Sequence, residues 1–346
     1  MSVIDWAETG WVPDGMIRQG IRALLRRRRL STAPDQPEAH AAEQAALRQM
    51  LAHGPLAVET EAANAQHYEV PAEFFTRILG PRLKYSCCWY DDSNRALAQA
   101  ECAMLERTTE RAEIADGMQI LELGCGWGSL TLWLAEHFPH ATITAVSNSH
   151  GQRRFIEQRC RDQGLENVRV ITANMRDFDT QQRFDRVVSV EMFEHMRNHR
   201  LLLQRIAGWL HPDGKLFVHI FCHRDTTYLF ETEGAANWMG RHFFTGGMMP
   251  SEHHLLFFAD DMAIEQHWRV GGLHYWRTCE DWLTRLDEQR AEILALFTRD
   301  VGPAQARLVL QRWRIFLLAC AELFRFHVGR EWYVGHYRFH RTRPNS

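Results

Sequence analysis

The 346-residue sequence lacks the features that mark secreted, membrane-spanning and nucleic-acid-binding proteins. Its first fifteen residues contain Asp5, Glu8 and Asp14 and have no apolar core, so they do not resemble a secretory signal. No apolar run approaches the length of a transmembrane span, and a net charge of -3 gives no general attraction for nucleic acid. The eight cysteines are scattered, and the one close pair, Cys87-Cys88, does not have metal-ligand spacing. These absences predict a cytoplasmic protein with reduced thiols, no metal site and no nucleic-acid partner.

Internal repeats and low-complexity tracts are also absent, whereas a hydrophobic content of 45% is enough to fill a full core. One local exception to the balanced charge is Arg26–Arg29, at the end of an N-terminal helical pattern. One interpretation is a solvated helix C-terminus that the helix dipole favours. The other is a contact with a phospholipid membrane. The sequence leaves both interpretations open.

The apolar periodicity divides the chain into an N-terminal helical appendage, residues 1–65, and a larger domain, residues 66–346. The appendage contains helical patterns at Val12–Leu30 and Glu38–Leu51, and its apolar surface would suit a homodimer. From Met118 onward, strands alternate with helices through short connections, which predicts an α/β fold with a parallel, doubly wound sheet. The predicted strands begin at Met118 and continue at 141–146, 168–173, 184–190 and 215–221.

Regular patterning stops after the fifth predicted strand. Residues 222–272 are polar and aromatic and are too long for a simple loop. They predict an inserted lid over the carboxyl ends of the strands, where open α/β sheets bind ligands. Amphipathic helices at 278–298 and 304–324 and a last strand at 332–339 complete the predicted domain.

A glycine-rich loop follows the first predicted strand and precedes a helix. The spacing Gly124-x-Gly126-x-Gly128 leaves Ser129 at the third glycine position of a dinucleotide site, which disfavours a dinucleotide. With Glu122 the segment has the pattern E-x-G-x-G-x-G, which resembles motif I of class I S-adenosylmethionine (SAM) methyltransferases. A turn with only a structural role is the alternative. The pattern predicts SAM as cofactor and assigns Glu122 and the three glycines to it.

Further cofactor contacts are predicted at the ends of the next strands. Asn148 and Gln152 would face the ribose, although a carboxylate is commoner there and both could instead cap a helix. Asn174 and Met175 would flank the adenine. Two aromatic residues, Tyr85 and Trp127, are candidates for a cation–π contact with the sulfonium, and either could instead fill the core.

Two carboxylates and an imidazole follow the fourth predicted strand, in Ser189-Val-Glu191-Met-Phe-Glu194-His195-Met196. Burial and the proximity of like charges raise the pKa of a carboxyl, which is how a general base is set near neutral pH. A helix cap would need only one acidic residue. The pattern therefore predicts a base made of Glu194 with His195, while Glu191 would attract a cationic substrate.

Several longer motifs resemble one superfamily, that of the cyclopropane-fatty-acyl-phospholipid synthases and mycolic acid methyltransferases. These motifs are Tyr85-Ser86-Cys87, Leu121–Gly128, Met192-Phe-Glu-His195 and the Ala319-Cys320-Ala321 helix. A second set resembles the coclaurine N-methyltransferase branch: Leu83–Cys88, Glu191–Met196, Phe217–His223, Phe243–Gly247 and Glu331-Trp332. The resemblance implies a class I SAM-dependent methyltransferase fold and adds Tyr85 and Ser86 to the cofactor site.

The two branches imply different catalytic sets. The lipid enzymes imply a bound bicarbonate acting as base, with Cys87, Glu194, His219 and Tyr275 as its holders. His219 and Tyr275 could instead be satisfied core residues. The amine enzymes imply catalytic roles for Glu191, Glu194 and His195. Glu191 discriminates between them, because a hydrocarbon gains nothing from an additional buried carboxylate. Cys320 is either an active-site cysteine of the family or, as its apolar helix favours, a core thiol.

The sequence thus predicts a SAM-dependent methyltransferase that N-methylates a ring-containing, tetrahydroisoquinoline-like amine. The alternative is methylene transfer to an unsaturated acyl chain of a phospholipid, which requires contact with a membrane. A non-enzymatic SAM sensor is a third hypothesis, but it gives Glu191, Glu194 and His195 no task that offsets their burial.

Overall fold

The computed structural model describes residues 3–32, 36–58, 70–92, 95–234 and 237–342. The predicted domain boundary at 65/66 lies outside these residues.

A seven-stranded sheet forms the centre of the protein, with the strand order β3-β2-β1-β4-β5-β9-β8. The first five strands are parallel, and β9 is antiparallel to both of its neighbours. The bounds are β1 Gln119–Leu123, β2 Thr142–Ser147, β3 Val168–Thr172, β4 Phe184–Val190, β5 Leu210–His223, β8 Met262–Val270 and β9 Trp332–Arg341. Two short strands, β6 Tyr228–Leu229 and β7 Met248–Met249, pair separately. The α/β, doubly wound fold class is confirmed.

Helices cover this sheet and extend beyond its carboxyl edge. Those before β4 are α1 Val3–Glu8, α2 Asp14–Thr32, α3 Pro37–His53, α4 Ala72–Ile78, α5 Leu97–Arg111, α6 Ser129–His137 and α7 His150–Gln163. Those after β4 are α8 His199–Trp209, α9 Trp238–His242, α10 Gly272–Glu288, α11 Arg290–Val301 and α12 Pro303–Gly329. Backbone angles depart from helical values at 326–328, near the end of α12.

The segment predicted as a lid differs from the prediction in one respect. Met262–Val270, within 222–272, is β8, the edge strand of the main sheet, and only residues before it remain as a candidate cover. Polar and charged side chains on an edge strand prevent it from pairing with another chain. This strand therefore does not show the apolar run of a central strand. The helix predicted at 278–298 is divided at Gln289 into α10 and α11.

The N-terminal helices dock on different parts of the domain. On α2, Arg18 and Arg22 donate to Glu322 of α12, at 3.0 and 2.5 Å, and Arg18 also donates to Glu280 of α10 at 2.7 Å. The side-chain amide of Asn198, directly before α8, donates to two backbone carbonyls at the end of α3. These hydrogen bonds connect α3 to the start of α8. Helix α2 therefore faces the C-terminal helices, where the cavity described next opens.

Candidate active site

The site lies where the strand order changes direction, between the carboxyl ends of β1 and β4, which is the usual ligand position in an open α/β sheet. The loop after β1 has left-handed glycines, with φ of +83° at Gly124, +53° at Gly126 and +83° at Gly128. A Cβ at Gly128 would lie 2.7 Å from Cγ1 of Ile156, whereas one at Gly126 would meet nothing within 4 Å. A Cβ at Gly124 would lie 2.8 Å from Cβ of Met192, so the loop packs tightly at both ends and faces open space in its middle.

The groups around this loop suit a polar ligand. Among the described residues, the indole nitrogen of Trp127 and the hydroxyl of Ser129 are buried and have no hydrogen-bond partner. Glu122, at the end of β1, accepts a hydrogen bond from Thr131 at 2.5 Å, and burial raises its pKa to about 7. Gln152 accepts one from Ser147 at 2.6 Å. Carboxyl, amide, hydroxyl and indole groups thus line the place where the sequence predicts the cofactor.

A cavity of about 1090 Å³ extends from the glycine loop to α2 and α12. Eleven of the predicted site residues line it: Tyr85, Ser86, Glu122, Gly124, Gly126, Trp127, Gln152, Glu191, His195, Tyr275 and Cys320. The other seven lie outside this lining: Cys87, Gly128, Asn148, Asn174, Met175, Glu194 and His219. Gly128 packs on Ile156, and the Asn174 side chain accepts from the backbone nitrogen of Arg176. The cavity brings the glycine loop together with Glu191 and His195.

Glu191 is the most strongly held carboxylate of the site. It follows β4 directly and has a φ of +49°, an unusual backbone conformation for a non-glycine residue that is typical of functional sites. Its Oε1 accepts from the backbone N–H of Cys87 at 3.0 Å and lies 3.1 Å from Nε2 of His219. Its Oε2 accepts from the Tyr275 hydroxyl. Burial raises the pKa of Glu191, and the hydrogen bonds from Tyr275 and Cys87 partly oppose the shift.

The next two polar residues differ from Glu191 in position and protonation. Glu194 is 1% exposed, and burial, together with the negative charge of Glu191, raises its pKa well above the ordinary value. A neutral carboxyl is therefore favoured there. Burial lowers the pKa of His195 to about 4, so its imidazole is neutral at pH 7. His195 lines the cavity and stacks on Phe244, with ring centroids 5.9 Å apart.

Aromatic rings of α10 and α12 form part of the cavity wall. Phe324 stacks on Tyr275 at 4.2 Å, and Phe316 stacks on Phe243 at 4.3 Å. Tyr85 and Trp127, predicted to face the sulfonium, both pack on Phe75 at 5.0 Å and line the cavity. The cavity thus combines the carboxyl groups of Glu122, Glu191 and Glu231 with an aromatic surface, which favours a cationic or ring-containing ligand.

Sequence reasoning missed Lys84 as a candidate site residue. Its side chain is buried, lines the cavity and donates a hydrogen bond to the Ser86 hydroxyl. Lysine is seldom buried unless its charge is used or paired, and this signal was available in the segment Leu83-Lys84-Tyr85-Ser86. Lys84 adds a positive charge beside the glycine loop.

The described residues contain neither a candidate metal site nor a candidate membrane-spanning helix. Within 3–32, 36–58, 70–92, 95–234 and 237–342, no group of three or more His, Cys, Asp and Glu side chains could hold a metal ion. No helix in that same part of the chain is both long and apolar enough to cross a membrane.

The fold and the glycine loop define a class I SAM-dependent methyltransferase. Comparison with known proteins then assigns the family: residues 57–331 match the model of the mycolic acid cyclopropane synthetase family, and the chain belongs to it. The predicted family resemblance and the predicted enzyme class are confirmed.

Three relatives illustrate the range of this family. A (S)-coclaurine N-methyltransferase from Thalictrum flavum subsp. glaucum is 38% identical over 336 residues, covering 96% of this chain and 93% of the relative. A cyclopropane-fatty-acyl-phospholipid synthase from Escherichia coli (strain K12) is 27% identical, covering 78% of this chain and 66% of the relative. A crystal structure of coclaurine N-methyltransferase bound to N-methylheliamine and SAH is 36% identical, with a TM-score of 0.95 and 98% of each chain covered. Because SAH is the product of SAM, the prediction of SAM as cofactor is confirmed.

Proposed function

We propose that this protein transfers the methyl group of SAM to the nitrogen of a ring-containing, tetrahydroisoquinoline-like amine, with Glu191 and His195 as its general base. The observation that carries the proposal is the Glu191 carboxylate at the wall of an aromatic cavity. Relatives named as coclaurine and pavine N-methyltransferases, 38% and 31% identical over most of the chain, support it.

The groups that hold Glu191 favour the amine over the lipid substrate. The resemblance to the lipid enzymes implies that Cys87, His219 and Tyr275 help to hold a bicarbonate. In this structure the Glu191 carboxylate is contacted instead by the Cys87 backbone N–H, the His219 imidazole and the Tyr275 hydroxyl. A built-in carboxylate makes a bound carbonate ion unnecessary. It also suits a cation, whereas a hydrocarbon would leave its desolvation without compensation.

The roles of Glu191 and His195 follow from the chemistry of methyl transfer to an amine. Bound SAM supplies an electrophilic methyl group, and an amine can attack it only when its nitrogen is neutral. Glu191 accepts a hydrogen bond from the incoming ammonium and orients its nitrogen toward the glycine loop. His195 is neutral at pH 7 and lines the same cavity, so it accepts a hydrogen bond from the ammonium, while Glu191, whose pKa burial raises, takes up the proton. The aromatic wall excludes water and positions the substrate ring.

Methylene transfer to a phospholipid acyl chain is the second candidate. Its support is the family assignment and the 27% identity to the Escherichia coli synthase. It requires an independent base and access to a membrane. The cavity reaches α2, which carries Arg27 and Arg28 in its lining.

The test compares the two substrates directly. Purified protein and SAM are incubated with 1,2,3,4-tetrahydroisoquinoline or with vesicles of unsaturated phosphatidylethanolamine and phosphatidylglycerol, with and without added bicarbonate, and SAH release is measured. We expect turnover with the amine, unchanged by bicarbonate. Turnover with vesicles alone, dependent on bicarbonate, would overturn the proposal and establish the lipid activity.

A further inference from the structure

A row of side chains crosses the sheet from the active site to its far edge. His219 on β5 pairs directly with His336 on β9, and His336 pairs with Trp268 on β8. Side chains of directly opposed residues lie on the same face of a sheet. The row therefore connects Glu191, which contacts His219, with groups three strands away.

The polar atoms of this row form a continuous chain. Nε2 of His219 lies 3.1 Å from Oε1 of Glu191, and Nδ1 of His219 lies 2.9 Å from Nε2 of His336. Nδ1 of His336 lies 2.8 Å from Nη1 of Arg111, the last residue of α5. Both imidazoles are fully buried. Arg111 also lies over the Trp268 ring, with its guanidinium carbon 5.1 Å from the ring centroid.

The direction of every hydrogen bond in the chain follows from Arg111. A guanidinium only donates, so Nδ1 of His336 must accept. Burial lowers the pKa of His336 and of His219 well below the ordinary value, so each ring is neutral and has a single N–H. The proton of His336 is therefore on Nε2, where it donates to Nδ1 of His219. The proton of His219 is then on its own Nε2 and points at Glu191.

We propose that Arg111 and His336 are positioning residues that fix the tautomer of His219 and so keep an N–H donor directed at the Glu191 carboxylate. Without Arg111, the Glu191 carboxylate is the one group left in this row of hydrogen bonds that selects the tautomer, and it stops doing so whenever it is protonated, a state that burial favours by raising its pKa. With the proton on Nδ1, His219 would present a lone pair to Oε1 of Glu191, and the two acceptors would repel each other. The carboxylate would then lose one of its three donors and its fixed orientation. The inference rests on the proposed function in one respect: that function gives the Glu191 carboxylate its role toward the substrate.

The experiment is proton–nitrogen correlation NMR of the histidine side chains, which distinguishes the two tautomers by their ring-nitrogen shifts. Signals are assigned from spectra of the His219→Gln and His336→Gln variants. In the unmodified protein we expect both rings to be protonated on Nε2. In Arg111→Met we expect His219 to lose its single tautomer and kcat to fall about tenfold, with KM for SAM within about twofold. Arg111→Lys keeps a donor-only cation and should restore both the tautomer and most of kcat.

Arg107→Met is the matched control. Arg107 lies one turn earlier on α5, and its guanidinium lies over the ring of Trp89, which Arg111 also contacts. We expect this variant to keep the His219 tautomer and kcat. A proton on Nδ1 of His219 in the unmodified protein, or an unchanged tautomer in Arg111→Met, would overturn the inference. Because the NMR measurement needs no methyl acceptor, it remains decisive even if the proposed substrate class is wrong.

Discussion

At the scale of single residues, the two carboxyl groups after β4 differ in what surrounds them. Glu191 contacts three hydrogen-bonding groups and lines the cavity, whereas burial favours a neutral Glu194 outside that lining. We expect Glu191→Gln to lower kcat/KM for the amine at least about 100-fold, because the charge that receives the ammonium is lost. SAH release under saturating SAM measures this effect.

Glu194→Gln is the matched comparison. Glutamine has nearly the shape of a neutral glutamic acid, so we expect kcat/KM to stay within about threefold of the unmodified value. A loss of activity in Glu194→Gln with little loss in Glu191→Gln would instead assign the proton transfer to Glu194, as the sequence predicted.

The sequence placed Glu191, Glu194 and His195 together after the fourth predicted strand. Their spacing could not show which of these side chains faces the cavity. The directions of their side chains depend on the left-handed backbone at Glu191 and the short 3₁₀ turn Phe193–His195. Neither is encoded by residue spacing. The sequence could not identify Arg111 and His336 as residues near the site, for a different reason. His336 lies beside His219 through strand pairing, and Arg111 contacts His336 from the end of α5; each contact joins segments more than a hundred residues apart.

At the scale of secondary-structure elements, prediction succeeded where patterning is strong. The parallel strands β1 to β5 alternate apolar runs with helices, and all five were predicted. Strand β8 was missed because polar, exposed residues interrupt its apolar ones, and it is held by backbone pairing to β9. The division between α10 and α11 was missed because amphipathic periodicity continues through Gln289.

Helix α2 closes the cavity on the side of α12 through a group of ion pairs. Glu322 is 2% exposed and accepts hydrogen bonds from both Arg18 and Arg22. Glu322→Gln removes the charge that both cations share, so α2 should separate from α12 more often. We expect amides within 14–32 to exchange with solvent about tenfold faster and KM for the amine to rise about threefold. Hydrogen exchange read by mass spectrometry and steady-state kinetics measure the two effects.

Glu157→Gln is the control for this variant. It removes an exposed ion pair of similar length, 2.7 Å, between Glu157 and Arg153 on α7. Such exposed pairs contribute little, so exchange in α2 and KM should both stay unchanged. Equal exchange in Glu322→Gln and the unmodified protein would contradict a closing role for these ion pairs.

At the scale of the whole molecule, an unusual number of histidines is buried in neutral form. Burial lowers the pKa of six histidines, to about 4 at His195, His199 and His274 and well below the ordinary value at His219, His254 and His336. In the unfolded chain each titrates near its ordinary value of about 6.5. As pH falls below that value, the unfolded state binds protons that the folded state does not, so stability decreases.

Buried carboxyls act in the opposite direction. Burial raises the pKa of Glu101, Glu122, Glu191 and Glu194, so the folded state binds protons at a pH where the unfolded chain does not. Each of these groups stabilises the protein as pH falls toward about 4.5. They are fewer than the buried histidines. The net expectation is a loss of stability on acidification from pH 6.5 toward 4.

We therefore expect Tm to fall by about 5 °C or more between pH 7 and pH 5.5, measured by circular dichroism at constant ionic strength. His199 contributes through contacts of its two ring nitrogens with Phe193 and His254. In His199→Gln, one such proton is lost from the balance, so the slope of unfolding free energy against pH should decrease by about 0.8 kcal/mol per pH unit, averaged over this range. His140→Gln, at an exposed position, should leave the slope unchanged. Stability that is constant or rises between pH 7 and 5.5 would show that the carboxyls outweigh the histidines.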